Sequence, residues 1–406
     1  MKRSLLTLIS LVVIAAALVA RAQGREGADP GVTRTSITIG GTVPLTGVAA
    51  AYGPVGRGAE AYFKYVNANG GVNGRRIVYR YLDDAYNPTT TLERTRRLVQ
   101  GGAFAIFNSV GTEHNLSTRP YLNQSKVPQV FVASSAGTFG TESKRYPYTL
   151  GYGPTYLAEG RMYGQYLAAQ RPGARIAVLS QNDDYGREVV AGLTEALGTR
   201  ARIVAQEAYE VSAPDVSVSQ KVATLRDSGA GVLVLVATPA FAIRAYTAAD
   251  KLAWKPLVLV GSVSAGPATI QTADDATATV TEGSLTIGYL KDPSDPRWAT
   301  DAGGRLYRQI VQRYGVGGNP NDVLNVYGMA AAHSFVGVLR RAGKTPTREG
   351  LLRAVSSLNE RGNPFLLPGI HVRTTVTDRF PIEQARLQRW TNGRWVGFGP
   401  VLSAAG

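Results

Sequence analysis

The sequence predicts an α/β protein of two lobes, each a parallel sheet flanked by helices. Three observations carry this. Short apolar runs alternate with helically spaced apolar residues along most of the chain. The alternation comes in two blocks, 34 to 149 and from about 157 onward. They are separated by Tyr146-Pro147-Tyr148 and Gly151-Tyr152-Gly153-Pro154. After about residue 285 long helices take over, which fits a chain that crosses between the lobes more than once. A βαβα order with buried strands implies parallel sheets covered on both faces.

The elements follow in order. Ser36-Ile37-Thr38-Ile39 alternates as a strand, and a glycine-bearing loop, 41 to 53, connects it to Pro54. Val55, Ala59, Tyr62, Phe63 and Val66 then fall on one face of a helix. Ile77, Tyr79 and Tyr81 share one face of a strand over 76 to 82. Leu92, Thr95, Leu98 and Val99 continue the helical spacing. Runs at 103 to 107, 127 to 132, 175 to 180, 231 to 237 and 257 to 261 suit buried parallel strands. Ile243, Tyr246 and Thr247 mark a further helix, and 322 to 342 reads as a long one. Thr391-Asn392-Gly393 sits between alternating segments and signals a hairpin. The two blocks share a pattern but no residue repeat.

Composition excludes several functions. The chain has 406 residues, enough for two or three domains, and no cysteine. Disulfides, thiol nucleophiles and Cys-based zinc sites are therefore absent. The three histidines, His114, His333 and His371, show no metal-ligand spacing. The formal charge of +15 comes from dispersed Lys and Arg, with pairs such as Arg75-Arg76 but no long run. A solvated basic surface accounts for that pattern better than nucleic-acid binding.

The N-terminus carries a secretory pattern. A basic head, Met1-Lys2-Arg3, precedes an uncharged apolar run to Ala20, and Ala20-Arg21-Ala22 supplies small residues at both cleavage positions. Cleavage is expected before Gln23, making 1–22 a signal peptide. The run is shorter than the roughly 20 residues of a spanning helix. Losing Lys2, Arg3 and Arg21 leaves 15 − 3 = +12.

Catalytic motifs are weak. The loop at 41 to 53 lacks the lysine of a P-loop and the spacing of a dinucleotide turn. Residues 337 to 345 have five residues between their glycines where a P-loop has four. Residues 262 to 266 imitate a nucleophile elbow, yet begin with Ser and have no nearby histidine. Two other loops are more informative. Phe107 to Glu113 and Ala133 to Thr138 each follow an apolar strand and offer hydroxyls and backbone N–H groups. Open α/β sheets bind ligands at such strand ends, and a helix N-terminus there suits a carboxylate. Plain helix capping by Thr112 and Ser135 is the competing reading.

Several ordered motifs resemble the type I periplasmic solute-binding proteins of ABC importers, in particular the leucine/isoleucine/valine-binding branch. They are Gly40 to Gly53, Gly58-Ala59-Glu60, Val66 to Arg75, Asp83-Asp84-Ala85-Tyr86-Asn87-Pro88, and Gln181-Asn182-Asp183-Asp184-Tyr185-Gly186. The resemblance implies two Rossmann-like lobes joined by three crossovers, with 31–149 plus 288–357 forming lobe 1 and 150–287 plus 358–402 forming lobe 2. It implies a non-enzymatic, monomeric, exported periplasmic protein without cofactor or metal. Such a protein captures a small carboxylate in the cleft and hands it to a membrane permease, or, in a sensing role, to a receptor. Carried over by position, Tyr52 lines the pocket. Gly111 and Thr112 receive the carboxylate, with Ser134, Ser135 and Ala136 completing the lobe 1 contact. Tyr185 closes from lobe 2, and Thr238, Ser262 and Val263 complete that side. Amino-acid binders of this kind hold the ligand ammonium with an acid near the position of Val263, whereas residues 261 to 266 contain none. The expected ligand is therefore a branched-chain or related amino acid, or an amine-free aromatic or aliphatic acid.

Overall fold

The computed structural model describes residues 29–211, 218–276 and 280–403, so the expected signal peptide at 1–22 lies outside the described residues. The first sheet comprises β1 (Ser36–Val43), β2 (Arg76–Asp83), β3 (Ile106–Phe107), β4 (Gln129–Val132) and β5 (Thr149–Gly151). Its order is β2-β1-β3-β4-β5, and every pairing is parallel. The second holds β6 (Arg175–Gln181), β7 (Arg202–Tyr209), β8 (Val232–Val236), β9 (Leu257–Val260) and β10 (Leu285–Gly288). A short pair, β11 (Asn359–Glu360) with β12 (Val372–Arg373), stands apart. The hairpin of β13 (Gln384–Thr391) and β14 (Arg394–Ser403) adds antiparallel to β10, giving the order β14-β13-β10-β9-β8-β6-β7. The predicted class of two α/β lobes with helix-flanked parallel sheets is the observed one.

The sequence patterns map closely onto these elements. Helix Pro54–Ala68 starts with Pro at its first position, where a missing N–H costs nothing. Its face of Val55, Ala59, Tyr62, Phe63 and Val66 is fully buried. The long helix runs Val323–Arg341, with the Asp322 side chain accepting from Leu324 N–H at 2.9 Å as its cap. These two helices pack with little space between them. A Cβ at Gly58 would lie 2.2 Å from the Asn325 carbonyl oxygen, and one at Gly328 would lie 2.2 Å from that of Val55. The strand expected at 103 to 107 narrows to Ile106–Phe107, since only these residues pair with β4. Edge strand β7 escaped the pattern because most of it is half-exposed, without a clean two-residue alternation.

Burial on both sides explains the continuous apolar runs. In β8, Leu233 and Leu235 pack into one cluster, while Val232, Val234 and Val236 pack into the cluster on the opposite face. The first lobe has its own core, into which Tyr307, Met329, Phe335 and Leu351 bring the late helices. Leu358, Phe365, Leu366, Ile370 and Ile382 also belong to this core, although the sequence expectation gave 358–402 to lobe 2. Only the β13–β14 hairpin joins the second sheet.

The chain passes between the lobes after β5, after β10 and before β13. Arg379 ties the last passage to the first by donating to the Pro147 carbonyl at 3.1 Å. Leu367 N–H donates to the Tyr289 carbonyl at 2.9 Å beside the middle one. Among the described residues no helix is long and apolar enough to cross a membrane.

Candidate functional site

The parallel strands of both sheets end against the same interior space, a cavity of about 1110 Å³ that is partly open to solvent. Much of the wall comes from just beyond strand ends. Tyr52 and Val55 follow β1, and Tyr86 follows β2. Val110, Gly111 and Thr112 follow β3, and Ala133, Ser134 and Ser135 follow β4. Across the cleft, Gln181 and Tyr185 follow β6, Thr238 follows β8, and Ser262, Val263 and Ala265 follow β9. This is where open α/β sheets place their ligands. Nine of the ten residues expected from sequence are therefore together on one wall. Ala136 is the exception. It is buried in an apolar cluster shared with the second lobe and does not line the cavity.

The lobe 1 end is built to meet an acceptor. Gly111 takes φ +103°, and a Cβ there would lie 2.3 Å from the His114 ring. That turn starts helix Thr112–Gln124 facing the cavity, with no side chain capping it. The first N–H groups of a helix have no intrahelical partner. Thr112 and Ser134 share a hydroxyl–hydroxyl bond of 2.8 Å. Tyr156, from the helix after the first crossing, is hydrogen-bonded with both, and burial pushes its hydroxyl up to about 12. The capping alternative does not hold, because neither Thr112 nor Ser135 caps its helix.

The lobe 2 end is aromatic and rigidly supported. Tyr185 is 2% exposed, its ring 4.5 Å from that of Tyr156, and its hydroxyl has no partner among the described residues. Thr238 N–H donates to the Tyr209 hydroxyl at 2.8 Å, and the Tyr209 ring stacks on Phe241 at 4.3 Å. Behind the 262 loop stands a carboxylate that the sequence did not announce. Glu159, 1% exposed, accepts Ser262 N–H and the Ser262 and Tyr163 hydroxyls, each at 2.7 Å. Burial raises its proton affinity, and these donors oppose that rise. The two Ser262 bonds hold the loop from behind, and Glu159 does not line the cavity.

Sequence reasoning also missed Tyr86, Tyr156, Tyr289, Tyr327 and Asp292 on the wall. Tyr86 sat inside the quoted 83 to 88 motif, and Tyr156 directly follows the glycine–proline break between blocks. Tyr289 and Asp292 come from the passage after β10 and Tyr327 from the long helix Val323–Arg341, stretches that carry no local motif. Among the lining residues Asp292 is the one formally charged side chain; no Lys, Arg or His reaches the wall. A bound carboxylate would thus meet dipoles rather than a cation.

The two lobes touch around this cavity. Gly137 N–H, in the loop after β4, lies 2.9 Å from both oxygens of Glu188 on helix Asp184–Leu197. Tyr52 contacts the Ser264 side chain across the cleft by a hydrogen bond. Among the described residues no group of three or more His, Asp or Glu could hold a metal ion.

Known proteins resemble this arrangement. A branched chain amino acid ABC transporter from Thermus thermophilus with bound valine superposes with a TM-score of 0.79 at 22% identity, covering 92% of this chain and 97% of the other. A fatty acid ABC transporter substrate-binding protein from Thermomonospora curvata gives 0.77 at 21%, covering 92% and 94%. In sequence, Leu/Ile/Val-binding protein homolog 2 of Brucella abortus (strain 2308) is 27% identical over 209 residues, 50% of this chain and 54% of that protein. The chain thus spans about half the length of the curated relatives it matches. The family described as Periplasmic binding protein matches residues 36–394. With the ordered motifs and the two-lobed fold, this match places the chain in the periplasmic binding protein family.

Proposed function

We propose that the protein is the solute-binding component of an ABC importer, exported and soluble, which captures a small carboxylate between its lobes and presents it to a permease. The observation that supports this most is the polarity of the cavity. One end has an uncapped helix start beside the Thr112 and Ser134 hydroxyls, and the rest is lined by tyrosines and aliphatic residues. In this reading Gly111, Thr112, Ser134 and Ser135 hold the carboxylate. Tyr52, Tyr185, Thr238, Ser262 and Val263 enclose the remainder. The ligand is a branched-chain or related amino acid or an amine-free aromatic or aliphatic acid; Leu, Ile and Val are named for a relative, and valine and a fatty acid for two similar structures.

A thermal-shift screen with amino acids and amine-free acids tests it. A ligand that binds only the folded state raises Tm by mass action, with about 2.7 kcal/mol of stabilisation at a hundredfold excess over Kd. At least one small carboxylate should give a saturable rise. A flat response across the set would remove this ligand class.

A further inference from the structure

We infer that Asp292 binds a positively charged nitrogen on the ligand, and so decides which carboxylates the protein accepts. This rests on reading the cavity as a carboxylate site. Asp292 is 7% exposed and is the one formal charge on the wall. Its Oδ1 accepts Ser294 N–H at 2.9 Å and the Ser294 hydroxyl at 2.7 Å, while its Oδ2 is buried and has no partner among the described residues. Native proteins rarely leave a buried carboxylate oxygen unmatched, because the charged form then loses its hydration without replacement.

The neighbouring cations are engaged elsewhere. Lys291 Nζ sits 2.7 Å from Asp301 Oδ2, and Arg297 holds Asp295 with its Nε at 2.7 Å and its Nη2 at 2.5 Å. Asp295 and Asp322 add negative potential at Asp292, and Arg297, held by Asp295, opposes it. The local field therefore favours a cation, and with no metal-ligating cluster among the described residues that cation is an amine. Placement supports the same conclusion. The acid that the sequence comparison sought on the 261 to 266 loop is absent, and Glu159 behind that loop is fully occupied. Asp292 stands instead on the passage after β10. An amine-bearing acid would lie with its carboxylate on lobe 1 dipoles and its nitrogen toward this crossing. Tyr289 and Tyr327, also on the wall, add ring faces that attract a cation.

Isothermal titration with matched pairs tests this on the full-length chain. The probes are leucine against 4-methylpentanoate, 5-aminopentanoate against pentanoate, and 4-(aminomethyl)benzoate against 4-methylbenzoate. In the wild type, the amine-bearing member of at least one pair should bind about tenfold or more tightly than its partner. Asp292→Asn should erase that preference by weakening the amine-bearing member of the pair relative to its partner. If amine-free acids bind as well as their partners in every pair, the inference fails and the carboxylate reading stands. An Asn variant that keeps the preference also overturns it. If none of the six binds, the carboxylate reading falls and takes this inference with it. The wild-type comparison can overturn the inference even should the variant not fold.

Discussion

Glu188 shows how one side chain can set the terms of the cleft. It reaches across from the second lobe to the Gly137 N–H, and burial there pushes its carboxyl up to about 7. Asp184 and Asp183 add to the rise; the Gly137 bond and Arg187 oppose it. Its ordinary value is 4.5, so the folded protein holds a proton that the unfolded chain has already released. Where the native state binds more protons, stability falls as pH rises. The contribution is complete below about pH 4.5 and is lost on passing 7. Wild-type Tm should therefore fall between pH 5 and pH 8 by a component that Glu188→Gln lacks. Parallel pH profiles for the two proteins would rule this out.

At the scale of elements, the crossing of helices Pro54–Ala68 and Val323–Arg341 is the tightest test of packing. Alanine in place of glycine gains about 1 kcal/mol of helix propensity. Here the added Cβ would meet a backbone carbonyl oxygen at 2.2 Å, and overpacking of this kind costs about 1–3 kcal/mol or more because backbone cannot move aside. The clash should win: Gly328→Ala is expected to lower stability by about 1 kcal/mol or more. Urea unfolding of the variant measures this, and an unchanged midpoint would show that the helices can separate freely. The same elements show what is readable from sequence. Pro54, the five apolar residues after it, and Asp322 as a cap announce their helices through local chemistry. β7 does not, since an edge strand that is half-exposed along most of its length lacks a clean period. Tyr52 and Tyr185 could be placed because each sits in an ordered motif beside a strand end, and Thr112 because its loop follows an apolar strand. Asp292 could not, because its position on the wall depends on how a distant crossing folds back. Ala136 was misplaced for a related reason: adjacency to Ser135 in sequence does not fix which way a side chain faces.

For the molecule as a whole, the division of the core matters most. The two sheets have separate cores, yet Val132, Ala136 and Phe139 from the first lobe lie in a cluster with Tyr185, Val189 and Leu193 of the second. The helix starting at Thr112 touches the one starting at Asp184 in the same region. Parting the lobes would wet this shared apolar surface. The calorimetric signature of binding should then come largely from protein meeting protein: a negative heat-capacity change larger than the ligand's own small surface can supply. Titrations at several temperatures, compared between a small and a bulky acid, would reveal it as a slope nearly independent of ligand size. A slope that scales with the ligand would mean instead that the lobes are already together before anything enters.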